Sequence, residues 1–193
     1  MSLILFNKPF GVISQFSAHP TRSTLAGYID TPGVYPAGRL DADSEGLMLL
    51  TDNGELQNQI SHPDHGKLKT YLVLVEGLAQ AGHLEQLRQP MNLGNFTTRG
   101  SHTVRIETPT WLWPRNPPVR VRQHIPSSWI AITLSEGKNR QVRRMTAAAG
   151  LPTLRLIRST IGPFSLRTHP LLPGEWRIVS EEAWRTPKHH HDT

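Results

Sequence analysis

Cysteine is absent from the 193 residues. That excludes disulfides, a thiolate nucleophile and zinc sites built on sulfur ligands, and it suits a reducing compartment. Long apolar runs are also missing. None approaches the roughly 20 residues that cross a bilayer as a helix, so no membrane association is expected. The opening MSLILFNKPFG has neither a basic n-region nor a small-residue cleavage site, which argues against a secretory signal and for a cytoplasmic protein. Acids are scarce relative to bases, 15 against 21, leaving a formal net charge of +6 and a pI near 10.2. Such a surface attracts phosphate backbones and points to a nucleic-acid partner.

What is present is globular in composition, with 37% hydrophobic and 19% charged residues. The length suits one domain, or one unit of two lobes, with a substantial core. Strands are expected at Leu3 to Phe6, Leu47 to Thr51, Thr70 to Glu76 (TYLVLVE), Trp129 to Leu134 (WIAITL), Thr153 to Ile161 and Trp176 to Val179. Val34 to Ala37 reads as extended. Helices are expected at Thr24 to Ile29, from an Asp52 N-cap to Ile60, at Ala79 to Gln89, and at Asn139 to Ala149 with Gly150 closing the end. Ser180 is placed to cap a last short helix. Residues 91–108 read as short strands and turns. Strands outnumber helices without regular alternation. The expectation is an α+β fold: a mixed, largely antiparallel central sheet flanked by helices.

Residues 109–128, PTWLWPRNPPVRVRQHIPSS, hold five prolines, two tryptophans and three arginines. Proline at this density forbids a helix or a central strand. An extended loop is expected, its tryptophans pinned to the core, its Arg115, Arg120 and Arg122 available to phosphates. The closing residues 186–193, with their histidines, read as a flexible tail with no metal role.

The loop AGRLDADSEG, residues 37–46, concentrates acids beside an arginine. Asp41, Asp43, Glu45, Gly46 and Asp52 mimic the spacing of a calcium loop. Against this, Leu49 offers no ligand oxygen, Asp52 is one methylene short of the usual glutamate, and PAGRL cannot be an incoming helix. Paired-carboxylate hydrolysis of sugars is a second possibility, but no aromatic sugar platform is evident near the loop. A single reactive aspartate held by an arginine is the third. It gains from EGKNRQVRRM, residues 136–145, where Arg140, Arg143 and Arg144 fall at helical spacing on one face, with Val142, Met145 and Ala149 opposite.

These motifs together resemble the RsuA/RluB/RluE-type RNA pseudouridine synthases. GRLDADSEGLMLLT (Gly38 to Thr51) is similar to their catalytic signature. Lys69-Thr70-Tyr71 is similar to the K-x-Y strand, EGKNRQVRRM to the later motif, and Leu154-Arg155-Leu156-Ile157-Arg158 followed by Ile161-Gly162 to the closing L-x-R-x-x-I-G strand. The resemblance spans nearly the whole chain and implies a pseudouridine synthase catalytic domain over 1–185. It implies an N-terminal lobe over about 1–65, a C-terminal lobe over about 66–185, and a cleft between them. On this resemblance the chain is expected to start at once in that domain, without the S4-like module of most of the wider family. WLWPRNPP followed by IPSSW resembles the branch acting on 23S rRNA and implies a uridine in domain V, near the peptidyl transferase region. The implied partner is that rRNA or a large-subunit assembly intermediate; no cofactor or metal is implied, and a monomer is expected. Asp41 is implied as the essential carboxylate, attacking the substrate or assisting ribose chemistry, with Arg143 paired to it. Tyr71 would stack on the flipped uracil, Arg39 fill the space left by the base or hold a phosphate, and Leu156 wall the pocket. Arg140 and Arg144 are implied as phosphate contacts or ion-pair partners. The competing expectation is a non-catalytic RNA-binding or ribosome-assembly protein on the same scaffold.

Overall fold

The computed structural model describes residues 1–185, so the expected terminal tail lies outside the described residues. Its first strand, β1 (Leu3–Lys8), is buried along its whole length. β3 (Glu45–Thr51) is likewise buried throughout and pairs antiparallel with β1, Leu3 opposite Thr51 and Lys8 opposite Gly46. Continuous apolar runs of this kind belong to strands covered on both faces. The short β2 (Tyr35–Pro36) pairs with the far end of β3.

The remaining strands complete one sheet. β4 (Lys69–Glu76) lies between β6 (Ser127–Leu134) and β7 (Thr153–Ile161), antiparallel to both. β5 (His102–Ile106) forms one edge against β6. β8 (Phe164–Ser165) folds back on β7, and β9 (Trp176–Val179) returns to pair with β1. The order is β5-β6-β4-β7-β3-β1-β9 in a nine-stranded sheet, with β2 and β8 off that path. Among these pairings β3–β7 alone is parallel, and it joins only Glu45 and Gly46 to Ile157 and Arg158. The expected mixed, largely antiparallel α+β architecture is the one observed.

That short parallel contact explains a glycine. Gly46 has φ +108°, and a Cβ there would meet the Arg158 carbonyl oxygen, with the Arg158 nitrogen at 2.9 Å. Only glycine lets the acidic loop enter β3 this close to β7.

Alternation along β1 and β3 feeds two cores. Ile4, Phe6, Met48 and Leu50 face one side, with Leu87 of α2 (Ala81–Arg88) and Val142 and Met145 of α3 (Gln141–Ala148). Leu3, Leu5, Leu47 and Leu49 face the other, with Leu56 and Ile60 of α1 (Gly54–Ser61) and Trp184 of α4 (Glu182–Arg185). Trp111 and Trp113 pack beside Leu72, Trp129 and Ile157, so the proline-rich segment is pinned by its tryptophans as expected. It runs without helix to Pro126, and its last two residues, Ser127 and Ser128, already belong to β6.

Three helix expectations shift. Asn53, not Asp52, caps α1, accepting from the Glu55 and Leu56 amides, while Asp52 accepts from the Ser2 amide at 2.7 Å. The segment after Thr24 shrinks to a single 3₁₀ turn, Leu25–Gly27. α3 starts at Gln141 because Arg140 adopts φ 52°, ψ 29°, a left-handed conformation that no α-helix contains. Arg140 therefore stands before the helix rather than on one face with Arg143 and Arg144.

Candidate active site

The acidic loop is fastened at several points. The Ser14 hydroxyl donates to the Leu40 carbonyl at 2.6 Å and accepts from the Leu40 amide at 3.1 Å. The Gly11 amide donates to Ala42 at 2.7 Å, and the Ser44 amide closes a turn onto the Asp41 carbonyl. Leu40 is buried and acts as a plug. Between these anchors the Asp41 side chain stays 44% exposed, so its carboxylate is accessible while its backbone is held.

Asp41 opens into a cleft of about 670 Å³. Tyr71, Leu134, Val142 and Leu156 supply its apolar lining; Arg39, Asp41 and Arg140 supply charge. Tyr71 is buried to 8% exposure in β4, at a bulge where the pairing with β7 shifts register. Bulges re-aim side chains, and this one sits beside the cleft. The expected set Arg39, Asp41, Tyr71, Arg140 and Leu156 is thus brought together.

The arginines distribute themselves differently from expectation. Arg140 makes a fork to Asp43, 3.2 and 3.0 Å, and reaches Asp41 at 3.4 Å through the same Nη1. Arg143, expected beside Asp41, is ion-paired instead with Asp43. Its Nε lies 3.5 Å from that carboxylate and its Nη2 donates to the Asp43 carbonyl at 2.7 Å. Burial alone would raise the Asp43 carboxyl, but the Arg140 hydrogen bond and the Arg143 charge outweigh it and hold it below the usual range. Arg144 does not line the cleft: its guanidinium stacks over Phe96 at 4.8 Å and donates to the Leu93 carbonyl and the Asn95 side chain. Arg115 stacks over Phe10 at 4.2 Å and donates to the Pro117 and Pro118 carbonyls, folding its own loop. Arg122 pairs with Glu76 at 3.6 Å, and Arg120 is exposed.

Glu45, the third acid of the loop, is structural. It receives both arms of Arg155 and the Trp113 indole N–H, deep in the protein. The acids that imitate a calcium loop therefore do not converge: Asp41 and Asp43 meet Arg140, Glu45 meets Arg155, and Asp52 accepts from the Ser2 amide.

Other cleft residues were not singled out in the sequence. His19 and Arg22 reach the cleft on an exposed loop, and Lys138 from the segment before α3. Only the tertiary structure assembles them. Arg158 could have been noticed as a charge inside an apolar strand. It is 3% exposed, its Nε donates to Leu47 and its Nη1 to the Arg39 carbonyl, and its Nη2 is buried without a hydrogen-bond partner among the described residues. It braces the loop from beneath. Lys8 ends an apolar strand and is fully buried, donating to the Pro9 and Val12 carbonyls at 2.8 Å each. Burial lowers its pKa to about 7, against the attraction of Glu45, Asp43 and Asp41.

An accessible carboxylate on a braced loop, a buried tyrosine and several cationic side chains thus line one cleft. The chain belongs to the RNA pseudouridylate synthase family, whose pattern it matches over residues 2–148. Ribosomal large subunit pseudouridine synthase E of Xanthomonas campestris pv. campestris is 50% identical over 185 residues, 95% of this chain and 98% of that protein. The protein of the same name from Vibrio parahaemolyticus is 50% identical over 177 residues, 92% of this chain and 73% of that one. A crystal structure of a pseudouridylate synthase superposes with a TM-score of 0.75 at 26% identity, covering 95% of this chain and 72% of that one.

Proposed function

We propose that this chain isomerises one uridine of 23S ribosomal RNA to pseudouridine, in domain V near the peptidyl transferase region. The observation that carries the reading is the Asp41 carboxylate, accessible on a rigid loop over Tyr71 and Leu156. The half-identical relatives named for the ribosomal large subunit, one of them covered over 98% of its length, support the substrate class. A base inside folded RNA must leave its stack to reach such a pocket. Tyr71 stacks on the flipped uracil, Leu156 walls it, and Arg39 occupies the vacated space or holds a phosphate.

The reaction balances internally. The N1–C1′ bond breaks, the base turns, a C5–C1′ bond forms, the C5 proton leaves to solvent and N1 takes a proton up. Asp41 serves in ionised form, whether it attacks the uridine or removes a ribose proton. The Tyr71 hydroxyl assists departure of the C5 proton. RNA is gripped by the catalytic domain itself, as a monomer, on free rRNA or an assembly intermediate.

Transcripts of the separate 23S rRNA domains and of 16S rRNA, each labelled with tritium at uridine C5, test the substrate. Release confined to domain V is expected. Release from 16S rRNA alone would overturn the assignment.

A further inference from the structure

We propose that Asp43 is a positioning residue: its carboxylate holds the Arg140 fork, and so prevents Arg140 from closing on Asp41. The inference rests on the reading of Asp41 as the reacting carboxylate. A guanidinium presents one such fork to one carboxylate at a time. Here Asp43 takes it, at 3.2 and 3.0 Å, and Asp41 is left one contact at 3.4 Å. That is longer than the roughly 2.7–2.9 Å of a full charge-assisted bond. Asp41 thus stays oriented without being sequestered.

Asp43 is the fixed partner of this pair. Arg143, whose side chain is only 16% exposed, grips both its carbonyl and its carboxylate. Arg140 is the movable one. Its side chain is 46% exposed, and it projects from a lone left-handed residue ahead of α3. Without the Asp43 charge, the nearest anion for Arg140 is Asp41, already in contact through the same nitrogen. Lys8 and Arg143 are also near Asp41, both more buried than Arg140 and both held by hydrogen bonds to backbone carbonyls, while Arg22, Arg39 and Lys138 line the same cleft without a hydrogen bond or ion pair to Asp41.

The test compares Asp43→Asn, Arg140→Gln and the double variant. In single turnover at saturating RNA, Asp43→Asn is expected to slow isomerisation on the order of tenfold, the worth of one charge-assisted hydrogen bond to Asp41. Adding Arg140→Gln to Asp43→Asn should return most of that rate. A role for Asp43 in loop folding alone would leave the double variant as slow as Asp43→Asn, or slower, and that result overturns the proposal. A crystal structure of the free Asp43→Asn variant gives a second readout. Arg140 should there present its guanidinium fork to the Asp41 carboxylate. An Arg140 that leaves Asp41 with the single long contact contradicts the proposal. The structure needs no RNA, so it decides the role of Asp43 even where wild-type turnover fails. Failure of wild-type turnover would count against the functional reading instead.

Discussion

Arg155 and Glu45 form a closed fork across the seam of the sheet, Nε to Oε2 at 2.8 Å and Nη2 to Oε1 at 2.9 Å, with side chains 8% and 2% exposed. The Trp113 indole and carbonyl complete it. This pair ties the first residue of β3, directly after the acidic loop, to the proline-rich segment. Breaking a buried pair leaves an uncompensated charge, at a cost of about 3–5 kcal/mol. Arg155→Met is expected to lower unfolding free energy by that amount in urea titrations, and Glu45→Gln in the same chain to recover part of it. A loss under about 1 kcal/mol would contradict this account.

Lys8 sets a pH dependence. Its pKa falls from 10.5 in the unfolded chain to about 7 in the fold, chiefly through burial. Between those values the unfolded state binds the extra proton, so this residue's contribution to stability rises with pH from about 7 towards 10.5. Below pH 7 the full cost of burying the ammonium is present, up to about 5 kcal/mol. Wild type minus Lys8→Met should therefore gain stability steadily between pH 7 and 10 in chemical denaturation. A difference independent of pH would show that Lys8 titrates alike in both states.

Arg22 and Lys138 line the cleft from segments far apart in sequence, and neither side chain has a partner among the described residues. Free cations at the mouth of a site are suited to phosphates. Arg22→Gln and Lys138→Gln should each reduce the slope of log K against log salt by about 0.7–0.9 for RNA binding. Arg144→Gln should leave the slope nearly unchanged, because that guanidinium is committed to Leu93, Asn95 and Phe96. The reverse pattern would place the RNA elsewhere.

Local signals carried much of the fold. β7 and β9 have the bounds that their apolar runs and flanking glycine and proline suggested. The tryptophans of the proline-rich segment pack inward, as apolar residues without a local partner must. The strand order was not legible: β9 returns to β1 from the far end of the chain, and the parallel β3–β7 contact rests on two residues of each strand. Neither leaves a periodic trace. In the site, the motifs located Asp41, Tyr71 and Leu156 at one cleft. Which arginine meets which aspartate depends on the left-handed turn at Arg140, and helical spacing concealed it. Lys8 and Arg22 owe their positions to tertiary structure alone, whereas Lys138 lies within EGKNRQVRRM without a spacing that marks it.

The central claim is that the Asp41 carboxylate performs the isomerisation. Tritium release from C5-labelled uridine in a domain V transcript, comparing wild type with Asp41→Asn at matched RNA occupancy, tests it most directly. The account predicts release by wild type and a rate lowered at least a thousandfold in the variant, roughly 4 kcal/mol of barrier, with RNA binding intact. Release by Asp41→Asn at a rate near wild type would remove Asp41 from the chemistry.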